Sequence, residues 1–155
     1  MGGRGVNLTR LSPRLLRQKE GTMGIKAIAR LAPVHVVYTI SAGEAADIGI
    51  FVADQDYEIM DVRECHSIAG ASSTTLDVGV ASSGTAPASL TTSISAALAL
   101  DSTANTPVQS TLTSTVANRL IDRGEQLALN YTGTVTAYEG SVHIVLKPVR
   151  TNTTY

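Results

Sequence analysis

From residue 25 onward, apolar and polar side chains alternate with a period of two, the spacing that puts one set of side chains on each face of an extended chain. Val34, Val36, Tyr38 and Ile40 share one face of the first clear run. Leu76, Val78 and Val80 alternate with Thr75, Asp77 and Gly79, and Leu127, Leu129 and Tyr131 alternate with Gln126, Ala128 and Asn130. Val142, Ile144 and Leu146 interleave with Ser141, His143 and Lys147. Such runs predict half-buried antiparallel strands. Residues 47–53, 58–68 and 108–117 are weaker strand candidates, and residues 25–31 could add an edge strand. Turn chemistries separate the runs at Ser41–Glu44, Asp54–Asp56, Gly70–Ser73, Ser82–Gly84, Asp122–Gly124 and Glu139–Gly140. Residues 90–100 are ambiguous, since Leu90, Ile94 and Leu98 keep helical spacing while the Ser and Thr between them suit a strand. A short helix or an irregular crossover is expected there. About eight short strands in this length predict an all-β domain, a β-sandwich or small barrel.

Charge divides the chain in two. Residues 1–30 hold Arg4, Arg10, Arg14, Arg17, Lys19, Lys26 and Arg30 against Glu20, a formal +6, while residues 31–155 sum to −7. The chain therefore divides into a basic N-terminal arm, 1–30, and a β-sandwich domain, 31–155. A cationic strip ahead of an acidic body suits attachment to a negative surface, and a solvated leader without a partner is the plain alternative. Ser12–Pro13 supplies an N-cap and a first-turn proline for a short helix over 13–20. The arm also fits an organellar transit peptide, although Ser12 is the only serine in its first nineteen residues. Met23–Gly24 reads as a second possible start, which makes residues 1–22 an extension.

Composition narrows the chemistry. With 155 residues one domain is expected, and a single cysteine excludes an intrachain disulfide framework and a multi-cysteine zinc module. No apolar run reaches the roughly 18 residues of a membrane helix, and the first thirty residues lack a secretory signal's apolar stretch, so a soluble product of the cytoplasm is expected. Cys65 and His66 are the one thiol–imidazole pair, but strand neighbours point to opposite faces, so Cys65 reads as a small buried side chain and not a nucleophile. His35, His66 and His143 have no metal-ligand spacing and read as exposed or interfacial. Asp54, Asp56 and Glu58 resemble part of a calcium loop without its central glycine or distal glutamate, and a turn explains them. No nucleophile elbow, phosphate loop or dinucleotide fingerprint occurs. Neither an enzyme nor a cofactor is expected. Nucleic acid is not expected as a partner of an acidic body in a chain with 4% aromatic residues.

Several phrases, Gly24–Ile40 (GIKAIARLAPVHVVYTI), Gly84–Ala88 (GTAPA), Thr103–Thr106 (TANT), Ala117–Leu120 (ANRL) and Gly124–Leu129 (GEQLAL), resemble small head-decoration proteins of tailed bacteriophages. The resemblance spans about residues 24–149. It implies a jelly-roll-like antiparallel β-sandwich that assembles as a homotrimer on the outer surface of the capsid and clamps neighbouring major capsid protein subunits. It carries no catalytic residues and leaves the 1–22 extension unexplained. On that expectation the seven bases from Arg4 to Arg30 lie on the shell, and Val37, Phe51 and Val145, apolar on otherwise polar faces, are candidates for subunit contacts. The alternative is a receptor- or glycan-binding sandwich module of a phage particle, and a β-sandwich hydrolase or metal enzyme is a third possibility.

Overall fold

The computed structural model describes residues 32–149, and the helix expected over 13–20, the edge strand over 25–31 and the seven bases of the arm lie outside them. The described chain forms ten strands and one short 3-10 turn, and no α-helix. The longer strands are β1 (Val34–Ile40), β2 (Ile48–Val52), β3 (Tyr57–Ile68), β4 (Thr75–Ala81), β9 (Gln126–Thr132) and β10 (Glu139–Pro148). Four two-residue strands lie between them: β5 (Thr92–Ser93), β6 (Leu98–Ala99), β7 (Val108–Gln109) and β8 (Leu120–Ile121).

Two five-stranded antiparallel sheets result. Sheet A has the order β1-β10-β3-β7, with β8 also on β3; sheet B has the order β2-β9-β4-β5, with β6 also on β4. The first strand pairs with the last, the second with the next to last, and so inward to β4 and its β5 and β6 partners. A long hairpin rolled over itself in this way is a jelly roll, the double-sheet form of the expected sandwich. Rolling distributes consecutive strands between the sheets, so each needs one apolar face, as the period-two pattern requires.

The apolar faces meet between the sheets. Ile59, Val62, Val142, Ile144 and Leu146 come from sheet A, Leu76, Val78, Leu127 and Leu129 from sheet B, and all are essentially inaccessible. Each such Leu, Ile or Val contributes about 1.5–3 kcal/mol relative to exposure. Ile94, Leu98 and Leu100 from the ambiguous stretch join the same core. That stretch is a crossover without a helix, held by β5, β6 and an isolated bridge from Ser95 to Leu112.

Three turns share one solution. Ser41–Glu44, Ser82–Thr85 and Asp122–Glu125 each close with a backbone bond from the fourth residue to the first, and each has glycine third, at φ +81, +81 and +91 for Gly43, Gly84 and Gly124. That position requires a positive φ, which a side chain opposes. Two expectations need correction. Residues 108–117 are not one strand, because only Val108–Gln109 pairs with β3 before the chain crosses toward the 3-10 turn at Val116–Arg119. Glu139–Gly140 is not a turn but a bulge that opens β10.

Candidate functional site

The residues with most chemical potential lie in β3, where Glu64, Cys65 and His66 follow one another. Cys65 and His66 do diverge, but each takes the side opposite to the one expected. His66 is 1% exposed and faces the core, and Cys65 is half-buried on the outer face. A bulge causes the inversion. Between the pairs Val145–Asp61 and Leu146–Ile59 the register shifts, Met60 is left over, and inward positions change from Tyr57 and Ile59 to Val62, Glu64 and His66. An extra residue in one strand reverses the parity of all that follow.

Glu64 and His66 are thereby carried into the sandwich, where they are satisfied by each other and by distant segments. His66 Nδ1 lies 2.8 Å from Glu64 Oε1, and the Tyr138 hydroxyl donates to the same oxygen at 2.7 Å. His66 Nε2 donates to the Ser102 carbonyl at 3.1 Å, because a backbone carbonyl can only accept. One proton therefore lies between Nδ1 and Oε1. The His66 carbonyl accepts from the Asn105 amide at 2.7 Å, so both ends of this residue hold the 102–105 loop. Glu64 Oε2 and the Tyr131 hydroxyl are enclosed and lack a hydrogen-bond partner among the described residues. Burial, then the bond to Glu64, raises the Tyr138 phenol well above its ordinary value; burial, then Tyr38, Asp47 and Glu64, does the same for Tyr131.

Gly140 makes the Tyr138 bond possible. A methyl group there would stand 2.5 Å from the tyrosine oxygen, 2.8 Å from Cζ and 2.9 Å from the Cys65 carbonyl. The bulge at Glu139–Gly140 thus admits the tyrosine over β3. The arrangement is a polar strut inside the core and offers no approach to a substrate, since Glu64, His66 and Tyr138 are all at most 1% exposed.

Above the strut, at the surface, Thr39, Ser41, Cys65, Ser67, Asn105 and Glu139 line an open groove of about 490 Å³. Its hydroxyl, amide and carboxylate groups can accept and donate hydrogen bonds; the enclosed His66 borders its floor, and no Phe or Tyr is among its lining residues. The other two histidines, His35 and His143, are exposed as expected, on the outer face of sheet A. No group of three or more His, Cys, Asp or Glu among the described residues could hold a metal ion. Asp54 and Asp56 occupy a turn, as expected: Asp54 accepts from the Tyr57 hydroxyl at 2.6 Å and Asp56 from the Arg123 amide at 2.9 Å.

The three apolar contact candidates fall on two surfaces. Val37 and Val145 stand on the outer face of sheet A in adjacent strands, paired with His143 and His35 respectively, and Val37 is 55% exposed. Phe51 is on sheet B, half-buried against the core and edge-on to Tyr57 at 5.4 Å between ring centroids. Met60, 44% exposed at the bulge of β3, joins the Val37–Val145 side and was not singled out by its sequence position. The outer face of sheet B is partly covered by its own chain. Asn130 donates to the Ala88 carbonyl, Gln126 donates to the Thr85 carbonyl, and Leu90 packs on Gly79.

No family model matches the chain, and neither a curated protein nor a solved structure matches it.

Proposed function

We propose that this protein is a structural component of a phage particle that decorates and stabilises the outer surface of the capsid by binding major capsid protein subunits, as a trimer. The observation that carries the reading is a jelly-roll body with one sheet face left open among the described residues and its most polar ionisable cluster sealed in the core. A clamp needs contact area and a rigid body, and it needs no access to a reacting group. Jelly rolls serve in viral capsids and also in lectins, so the architecture supports the shell reading without separating it from sugar recognition. The strand and turn phrases resembling head-decoration proteins favour the shell. Binding to the assembled lattice and not to separate subunits stabilises the particle by mass action. The basic arm, from Arg4 to Arg30, is assigned to the shell.

The test is cosedimentation of the purified protein with expanded capsids, together with light scattering of the protein alone. A trimer that pellets with capsids is expected; a strict monomer that stays in the supernatant refutes the proposal. Deleting residues 1–22 is expected to weaken attachment while the body stays folded, and unchanged affinity at low salt removes that role from the extension. The groove beside Cys65 and Glu139 favours a second reading, a glycan-binding module, because its lining is polar and hydroxyl-rich. Selective binding on a glycan array by the isolated protein would support that reading over the first.

A further inference from the structure

The groove above the strut divides its polar groups into two kinds. Two hydroxyls are engaged: Ser67 Oγ donates to the Glu139 carbonyl at 3.3 Å, and Ser141 Oγ lies 3.1 Å from His143 Nε2. The Thr39 and Ser41 hydroxyls, the Asn105 carboxamide and the Glu139 carboxylate line the same space and make no side-chain hydrogen bond among the described residues. The backbones that carry these four groups are fixed. Asn105 has a left-handed conformation, φ +59, pinned by the bond from its amide to the His66 carbonyl at 2.7 Å while His66 Nε2 holds the Ser102 carbonyl at 3.1 Å. Ser41 opens the turn that the Glu44 amide closes at 3.0 Å, and Glu139 stands at the register shift where β10 begins over β3. A ligand entering here meets a wall that is already ordered, which lowers the entropy cost of binding. The groove's volume of about 490 Å³ lies within the ~300–1,000 Å³ of small-molecule sites.

Charge selects among polyhydroxylated ligands. Glu139 is the only carboxylate in the lining, and no lysine or arginine is there to meet an anion. Along β3 the nearest base, Arg63, is turned to Asp61 at 2.7 Å, and enclosed Glu64 adds its carboxyl group behind His66 at 2.8 Å. A phosphate, sulfate or carboxylate would find no counter-charge, whereas an ammonium beside Glu139 gains a charge-assisted hydrogen bond. We infer that the groove is a subsite for an amino sugar, whose ring hydroxyls bond to Thr39, Ser41 and Asn105 and whose protonated amine bonds to Glu139. This rests on the glycan-binding reading and gives it a ligand class. With no Phe or Tyr in the lining, the sugar is held by its polar edge and not by stacking.

The test is titration of the full chain with a glucosamine trisaccharide, its N-acetylated form and a galacturonic acid trisaccharide, followed by saturation-transfer NMR. The glucosamine form is expected to bind about tenfold more tightly than the N-acetylated one, and the uronic acid not to bind. Glu139→Gln is expected to abolish that preference, and Asp77→Asn, an acid on sheet B, to preserve it. Thr39→Val and Asn105→Gly, the latter compatible with the left-handed backbone, are expected to weaken both bound sugars. Equal thermal melting confirms that the variants are folded. Equal binding of the glucosamine and N-acetylated forms, a preference that survives Glu139→Gln, or one lost equally with Asp77→Asn overturns the inference and leaves the glycan reading standing. Binding of none of the three sugars overturns the inference and the glycan reading together, and leaves the shell reading.

Discussion

The polar strut gives a sharp test of how the fold is held, through two substitutions that act on one hydrogen bond. Tyr138→Phe removes the hydroxyl that donates to Glu64 Oε1 at 2.7 Å and leaves that oxygen with His66 alone. Because the acceptor is a buried carboxyl group, the expected cost is about 1.5–3 kcal/mol. Gly140→Ala places a methyl 2.5 Å from the same hydroxyl oxygen and 2.9 Å from a backbone carbonyl, so the tyrosine must withdraw. That variant loses the same bond and adds overpacking, the second alone worth about 1–3 kcal/mol. Once the hydroxyl is gone the nearest clash is gone too, so the double variant should cost clearly less than the two singles together. The coupling expected is about 1.5–3 kcal/mol, the bond both substitutions break. Urea unfolding followed by far-UV circular dichroism suits a protein without tryptophan, at one protein concentration so that association does not move the midpoint. Additivity within about 0.5 kcal/mol would refute the argument, because it would mean that Gly140 and the Tyr138 hydroxyl do not share a cost.

The remaining predictions concern pH, core and surface. The folded-state phenols of Tyr131 and Tyr138 are raised above the ordinary value of 10.0, so the stability they confer is present below that pH and is lost as pH climbs beyond it. Stability measured from pH 8 to 11 should fall at the alkaline end, and Tyr138→Phe with Tyr131→Phe should flatten that fall; an unchanged slope contradicts the assignment. Leu129→Ala, at a fully enclosed position between the sheets, should cost about 2–5 kcal/mol, while Val37→Ala on the open face should stay within about 0.5 kcal/mol by the same urea titration. Cys65→Ser should leave the fold within about 0.5 kcal/mol, since the thiol faces outward and the strut passes through its neighbours. A loss of several kcal/mol there would place the thiol in the core after all.

Period-two alternation located β1, β4, β9 and β10 because their inward residues are apolar and the strands carry no surplus residue; the two register shifts against β10 leave over Met60 and Ser67 in β3. The chain also displayed its turns wherever glycine stood third, since the need for a positive φ is local. It concealed what depends on distant partners. Met60 gives no warning that it is a leftover residue, so strict alternation from Ile59 points Cys65 inward and His66 outward. The neighbouring pattern did hold a signal, because Val62 between Asp61 and Arg63 fits the core only if the parity has already changed. Tyr138, 74 residues from Glu64, makes the burial of Glu64 and His66 tolerable, and nothing near position 64 announces it. Glu139–Gly140 has turn composition, yet its glycine serves a close approach of Tyr138 to β3. The Ser- and Thr-rich stretch at 108–117 alternates weakly because it crosses between layers with only two residues paired to β3.

The outer face of sheet A was half legible. Val37 and Val145 were visible as apolar residues in polar positions, but their adjacency needed the β1–β10 register, and Phe51 separated from them only when β2 was placed in the other sheet. Charge along the chain showed the basic arm; that Arg63 and Lys147 share one face with Glu58 and Asp61 required knowing that β3 and β10 are neighbours.

The central claim is that this protein works through contact with an assembled lattice. Titrating it onto intact expanded capsids and onto dissociated major capsid subunits, with particle melting followed in parallel, tests that most directly. The account predicts saturable binding to the capsids, a rise in their melting temperature, and little affinity for the separated subunits. Equal binding to dissociated subunits, or no effect on the melting of the particle, contradicts it.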